Sequence, residues 1–154
     1  MYATRFVTVV LFLLYLQFTI QGQQQQVESC HVEFTEPKQG DLVSNEGDVK
    51  GVATVPPGKH LWVFAHRRGL ALWWPQGGGP TQVEKQKWVA VVTYGQDRDR
   101  ASEFEVAALV LEERDHAEML NVVKRYEEQG VYPGVRLPPP ARDCSMAKII
   151  VTKR

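Results

Sequence analysis

Residues 60–67 read His60-Leu61-Trp62-Val63-Phe64-Ala65-His66-Arg67. On a strand, side chains alternate between the two faces. Leu61, Val63 and Ala65 then point one way, and His60, Trp62, Phe64 and His66 the other. Both faces are largely apolar. This predicts a central strand with cover on both sides rather than a half-solvated one.

The segments around it continue the β pattern. Val32–Phe34 is a short strand candidate ended by Pro37, and Lys38-Gln39-Gly40-Asp41 reads as a turn. Val49, Gly51, Ala53 and Val55 alternate, and Pro56-Pro57-Gly58 stops that strand. Leu70–Trp74 is expected as the hairpin partner of 60–67, joined through Arg68-Gly69, with Pro75–Pro80 as a following loop. Lys87–Tyr94 alternates again, Asp97–Arg100 reads as a charged, solvated turn, and Phe104–Leu111 is the next strand.

The period then changes. Met119, Leu120, Val122, Val123 and Tyr126 recur at spacings of three and four, which predicts an amphipathic helix. Asp115 is the expected N-cap, with Glu118 in capping-box spacing, and Gly130 the expected stop. Val131–Asp143, with four prolines, reads as an extended loop, and Ala147–Thr152 as a last strand. The expected fold is mainly β: an immunoglobulin-like sandwich of about seven strands, with one helix inserted before the last strand. A small barrel is the second choice.

Outside this domain, residues 6–20 (FVTVVLFLLYLQFTI) are apolar at twelve of fifteen positions and uncharged, follow Arg5, and precede the first acidic residue, Glu28. That is the pattern of a secretory signal. The uninterrupted apolar run, Val9–Leu16, falls short of the roughly 20 residues a membrane span needs. Residues 1–22 are therefore read as a signal peptide cleaved near Gly22. The alternative is an uncleaved anchor, because Ile20-Gln21-Gly22 is a poor small-residue cleavage site. Residues 23–29 form a Gln-rich linker, and 30–154 the sandwich domain. Val27-Glu28-Ser29-Cys30 fits a lipid-attachment signal poorly, since Glu28 is charged and Gln23–Gln26 separates Cys30 from the apolar core. The expected location is extracytoplasmic, periplasmic or secreted.

Cys30 and Cys144 are the only cysteines, and in an exported chain two cysteines most often pair. A disulfide between them is expected. Lys and Arg total 18, as do Asp and Glu, so nucleic acid is not an expected partner. Contact with a membrane is expected only through an uncleaved N-terminal anchor.

Val49-Lys50-Gly51-Val52-Ala53, Leu61-Trp62-Val63-Phe64, Trp74-Pro75-Gln76-Gly77, Trp88, Tyr94-Gly95 and Phe104-Glu105-Val106 together resemble a small β-sandwich module of uncharacterised bacterial exported and membrane proteins. The likeness covers roughly residues 49–111. It implies an immunoglobulin-like accessory domain and transfers no catalytic residues.

The residues themselves lean the same way. None of Ser29, Ser44, Ser102 and Ser145 lies in a nucleophile elbow. His60 and His66 share a strand face but sit about 20 Å apart at ~3.3 Å per residue, and no HxH or HExxH spacing exists. No metal and no cofactor are expected. The leading expectation is a non-enzymatic binding module with a surface at Arg67, Arg68, Trp73, Trp74 and Gln76, where one of the adjacent tryptophans should point outward. The partner is another envelope or extracellular protein, or a glycan. Alternatives are an envelope hydrolase using the cluster Glu112, Glu113, Asp115 and His116, an exported immunity or inhibitor protein with the 131–143 loop as a plug, and a structural spacer.

Mass spectrometry of the chain recovered from the extracytoplasmic fraction is expected to find its N-terminus at Gln23. A product retaining residues 1–22 makes the segment an anchor instead.

Overall fold

A computed structural model describes residues 29–154. The expected signal and nearly all of the Gln-rich linker lie outside the described residues. The order is β1 (His31–Glu36), β2 (Leu42–Val43), β3 (Glu46–Thr54), β4 (His60–Arg67), β5 (Trp74–Pro75), β6 (Val83–Glu84), β7 (Lys87–Thr93), a 3-10 turn (Asp97–Asp99), β8 (Glu103–Leu111), α1 (Glu113–Gln129) and β9 (Ala147–Lys153). Among the described residues the fold is mainly β, with two sheets and one helix. One sheet runs β1-β3-β7-β6, the other β2-β9-β8-β4-β5.

β4 is central in the second sheet. It pairs antiparallel with β8 over its full length, from His60 opposite Leu111 to Arg67 opposite Phe104. Both strands are buried on both faces, as the sequence of β4 predicts. Leu61, Val63 and Ala65, with Phe104, Val106, Ala108 and Val110, face the first sheet and meet Val32, Val49, Ala53, Trp88, Ala90 and Val92. The opposite faces, Trp62 and Phe64 with Ala107, Leu109 and Leu111, are covered by Met119, Val122 and Tyr126 of α1. Two cores thus share one pair of strands, and each Val, Leu or Phe side chain removed from water in them contributes about 1.5–3 kcal/mol.

α1 differs in detail from its expected form. It begins at Glu113 with Glu112 at the N-cap, so Asp115 lies in the first turn instead of capping it. Leu120, expected on the buried stripe, is 42% exposed. The stripe that packs is His116, Met119, Val122 and Tyr126, shifted because the sheet accepts only one ridge of the helix. Gly130 ends the helix in the left-handed conformation, its N–H donating to the Tyr126 carbonyl at 2.9 Å.

The strand count also differs. β2 and β6 are two-residue strands with too few residues to show a period. β5 pairs with β4 only through Trp74 and Pro75, so residues 70–73 are not the expected hairpin partner. Trp73 instead exchanges backbone hydrogen bonds with Val135, at 2.8 Å each way.

The first core holds a close backbone approach. A methyl at Gly51 would overlap the Glu33 carbonyl and the Trp88 indole, so only glycine lets Trp88 lie across β3. Tyr94 is 1% exposed and its hydroxyl has no partner among the described residues. Burial pushes that phenol up to about 12, so it stays neutral.

Cys30 and Cys144 form a disulfide that joins the chain ahead of β1 to the chain ahead of β9 across 114 residues. Such a bond agrees with an oxidising compartment. No helix among the described residues is long and apolar enough to cross a membrane. In the chain-entropy model a loop of this size stabilises by about 4 to 5 kcal/mol. Replacing both cysteines by serine is expected to lower the unfolding free energy by that order, read from urea unfolding as the product of midpoint and m-value, with m rising because the uncrosslinked chain unfolds to a more open state.

Candidate functional site

Of the five residues expected to form a binding surface, Arg67, Trp74 and Gln76 line one groove, while Arg68 and Trp73 turn elsewhere. Arg67 closes β4 and is solvent-facing. Its guanidinium donates to Asp99 at 3.1 Å. Asp99 also accepts the Gln96 backbone N–H at 2.8 Å, and that bond, followed by Arg67, holds its carboxyl below the usual range. Arg68 points elsewhere, to Glu103 at 2.8 Å. Both arginine side chains are about half exposed, 47% and 56%. With both guanidiniums in water, these pairs orient the side chains more than they stabilise the fold.

Trp73 is buried, at 7% exposure, and is therefore not a surface aromatic. Its ring stacks on His66 with centroids 3.7 Å apart and planes 16° from parallel, and Lys148 sits 5.2 Å above it. Lys148 and His66 both reach the Glu105 carboxylate, at 2.9 and 3.3 Å. Burial raises the Glu105 carboxyl, but these two partners outweigh it and leave the group lowered. Trp74 takes the opposite direction, as neighbours on a strand must. It is half-buried, and its indole N–H donates to the Tyr132 carbonyl at 2.7 Å.

Gln76 is 9% exposed. Its carboxamide donates to the Trp74 carbonyl at 2.9 Å and accepts the Thr93 backbone N–H at 2.9 Å. Trp74 belongs to the second sheet and Thr93 to the first, so this side chain ties the two sheets at their edge. Its polar atoms are consumed by that task.

A groove of about 1090 Å³ runs along this edge. Arg67, Leu70, Trp74, Val91, Tyr126 and Tyr132 line it, with Gln76 at its base. Tyr126 comes from α1 and Tyr132 from the segment after it, so the proline-rich loop is one wall. That loop is anchored along its length. Tyr126 donates its hydroxyl to the Pro133 carbonyl, Val135 bridges to Trp73, and Ala141 N–H reaches Val110 at 2.7 Å. The far wall carries Gln96, whose carbonyl accepts from Lys153, a lysine that is 1% exposed. The volume is at the upper end of ligand-pocket sizes, far larger than a single ion needs.

The acidic junction forms a second cluster at the other end of α1. Glu112 accepts from Lys59 at 3.1 Å and from the Arg142 backbone N–H at 3.0 Å, and these bonds hold its carboxyl down. Asp115 is held by Arg114 at 3.1 Å. Glu113 lies 2.8 Å from His60 Nε2. The sequence places His60 and His66 on one strand face too far apart to act together, and the fold instead brings His60 to His116: one donor atom from each of His60, Glu113 and His116 lies within 4.8 Å of the others.

Metal coordination does not fit this trio. The His60 and His116 rings stack at 3.5 Å, 13° from parallel. An ion shared between them would sit roughly 1.7 Å out of each ring plane, half the spacing, whereas a metal needs in-plane lone pairs at about 2.0–2.1 Å. His116 Nδ1 is already occupied by the Trp62 indole N–H at 3.1 Å. Nothing in the sequence signals this encounter, since 56 positions separate the two histidines.

Comparison with protein-family models and with curated proteins returns no match.

Gln76→Leu keeps the volume but strands the Thr93 N–H and the Trp74 carbonyl. It is expected to cost about 1–3 kcal/mol in denaturant unfolding, whereas Arg67→Ala is expected to stay within about 1 kcal/mol.

Proposed function

We propose that this domain is a non-enzymatic, extracytoplasmic interaction module of immunoglobulin-like type whose groove beside Trp74 receives a segment of an envelope or extracellular protein. The observation that carries the reading is the groove itself. On a domain this small, a trough lined by Trp74, Tyr126 and Tyr132 with the exposed guanidiniums of Arg67 and Arg98 has the make-up of a protein-contact surface, where Trp, Tyr and Arg supply most of the binding energy.

The immunoglobulin-like part is supported by strand order. β1-β3-β7-β6 follows the A-B-E-D sheet, and β9-β8-β4 the G-F-C sheet, with β5 in the place of C′. Two departures stand beside it. Cys30–Cys144 does not bridge the B and F positions, and Trp62, on the C position, turns away from the inter-sheet core towards α1. The export reading is supported by the disulfide and by the apolar segment 6–20.

Hydrolysis at Glu112, Glu113, Asp115 and His116 is supported less well. A general acid needs a carboxyl raised towards neutrality, and Glu112 is lowered by its lysine. The plug reading of the 131–143 loop is weakened by the anchors at Val135 and Ala141.

Affinity capture from extracytoplasmic extract, followed by titration of the recovered partner, tests the proposal. Trp74→Ala and Arg67→Ala are each expected to weaken binding about tenfold or more, the ~1.4 kcal/mol scale of interface anchors. Undiminished affinity in both variants rules the groove out, and binding to purified glycans alone reassigns the partner class.

A further inference from the structure

We propose that the first turn of α1 is a proton-sensitive latch: in mild acid, a proton on His116 breaks its contacts with Trp62 and His60, and the helix lets go of the sheet. The proposal does not depend on what occupies the groove.

The latch rests on a directional hydrogen bond. An indole N–H is a donor and nothing else. His116 Nδ1, 3.1 Å from Trp62 Nε1, must therefore present a lone pair. Neutral His116 then carries its proton on Nε2, a tautomer assigned from that bond. A second proton has only Nδ1 to go to. There it meets the Trp62 N–H head-on, and the bond becomes a repulsion between two donors. Trp62 is fully buried and belongs to the central strand, so it has no room to turn aside.

The surroundings oppose the same proton. His60 lies flat against His116 at 3.5 Å, so charging both rings sets two cations face to face. His116 sits in the first turn of α1, where the helix dipole is positive. Compensating charge is scarce. From the helix, Glu113 faces the stack, bound to His60 at 2.8 Å. Glu112 is occupied by Lys59 from the β4 end and by the Arg142 N–H from the proline-rich loop, and Asp115 by Arg114. β8 presents the apolar Leu111, in register with His60. Among the described residues, one carboxylate serves two imidazoles.

The pH direction follows. Burial, and after it His60, push the His116 imidazole below its ordinary value near 6.5, while Glu113 pulls the other way. A base depressed in the docked state takes its proton more readily once undocked. Docking is therefore full above about pH 6.5 and is lost as pH falls below it, through the depressed value.

The test is hydrogen exchange of the whole chain, followed from pH 7.5 to 5.0 with a chelator present and corrected for the intrinsic exchange rate. The readout is protection of 113–129 relative to 103–111. Wild type is expected to lose this relative protection below about pH 6.5, by up to tenfold per pH unit, the limit for one proton. His116→Gln, whose carboxamide oxygen accepts from Trp62 without titrating, is expected to hold it constant. A flat wild-type profile overturns the proposal, and so does an undiminished fall in His116→Gln. If that variant does not fold, His60→Gln decides: it removes the facing ring and is expected to show a smaller fall, and an unchanged profile overturns the proposal.

Discussion

The antiparallel pairing of β4 with β8 is the contact on which the other layers depend. Its eight registered positions carry apolar side chains on both faces, so each face needs a cover. The first sheet covers one and α1 the other. Each cover packs on this pair: the first sheet's inner face meets Leu61, Val63 and Ala65 with Phe104, Val106, Ala108 and Val110, and the helix rests on Trp62, Phe64, Ala107, Leu109 and Leu111. Most of a protein helix's stability comes from packing its apolar face, so the sheet holds this one.

Between the covers the polar links are few and specific. Gln76 joins the sheets at one edge, the disulfide joins the chain ends beside the first core, and Trp62–His116 joins strand to helix. Each fixes a position where apolar packing alone would tolerate sliding, because packing is non-directional and a hydrogen bond is not. The groove follows from these links. Its walls are α1 with its C-terminal extension on one side and the 95–100 turn on the other, both held by side chains buried at the sheet ends. The same helix carries Tyr126 at the groove and His116 at the latch, one at each end.

Much of the fold was legible. The two-faced character of residues 60–67 predicted cover on both sides, the change of period after Leu111 predicted the helix, and Gly130 its end. Two isolated cysteines predicted their own pairing. The misses have physical causes. β2 and β6 are two residues each, too short to carry a period. Asp115 offered a good cap by residue type, but the helix begins where the end of β8 delivers the chain, at Glu113. Leu120 satisfied the helical spacing, yet the sheet accepted a narrower stripe.

The candidate site was legible only in part. Arg67 and Trp74 reach the groove because alternation on one strand and hairpin-like proximity are local rules. Trp73, Gln76 and His116 obey no local rule. Residue type marked Trp73 and Gln76 as binding groups, and the structure spends both on its own cohesion. Alternation, period and composition act between neighbours, and those the sequence alone determined. The encounters of Trp73 with Val135, Gln76 with Thr93 and His60 with His116 join residues distant along the chain. They exist because the order of strands and the docking of one helix set which faces meet, and only the tertiary structure decided that.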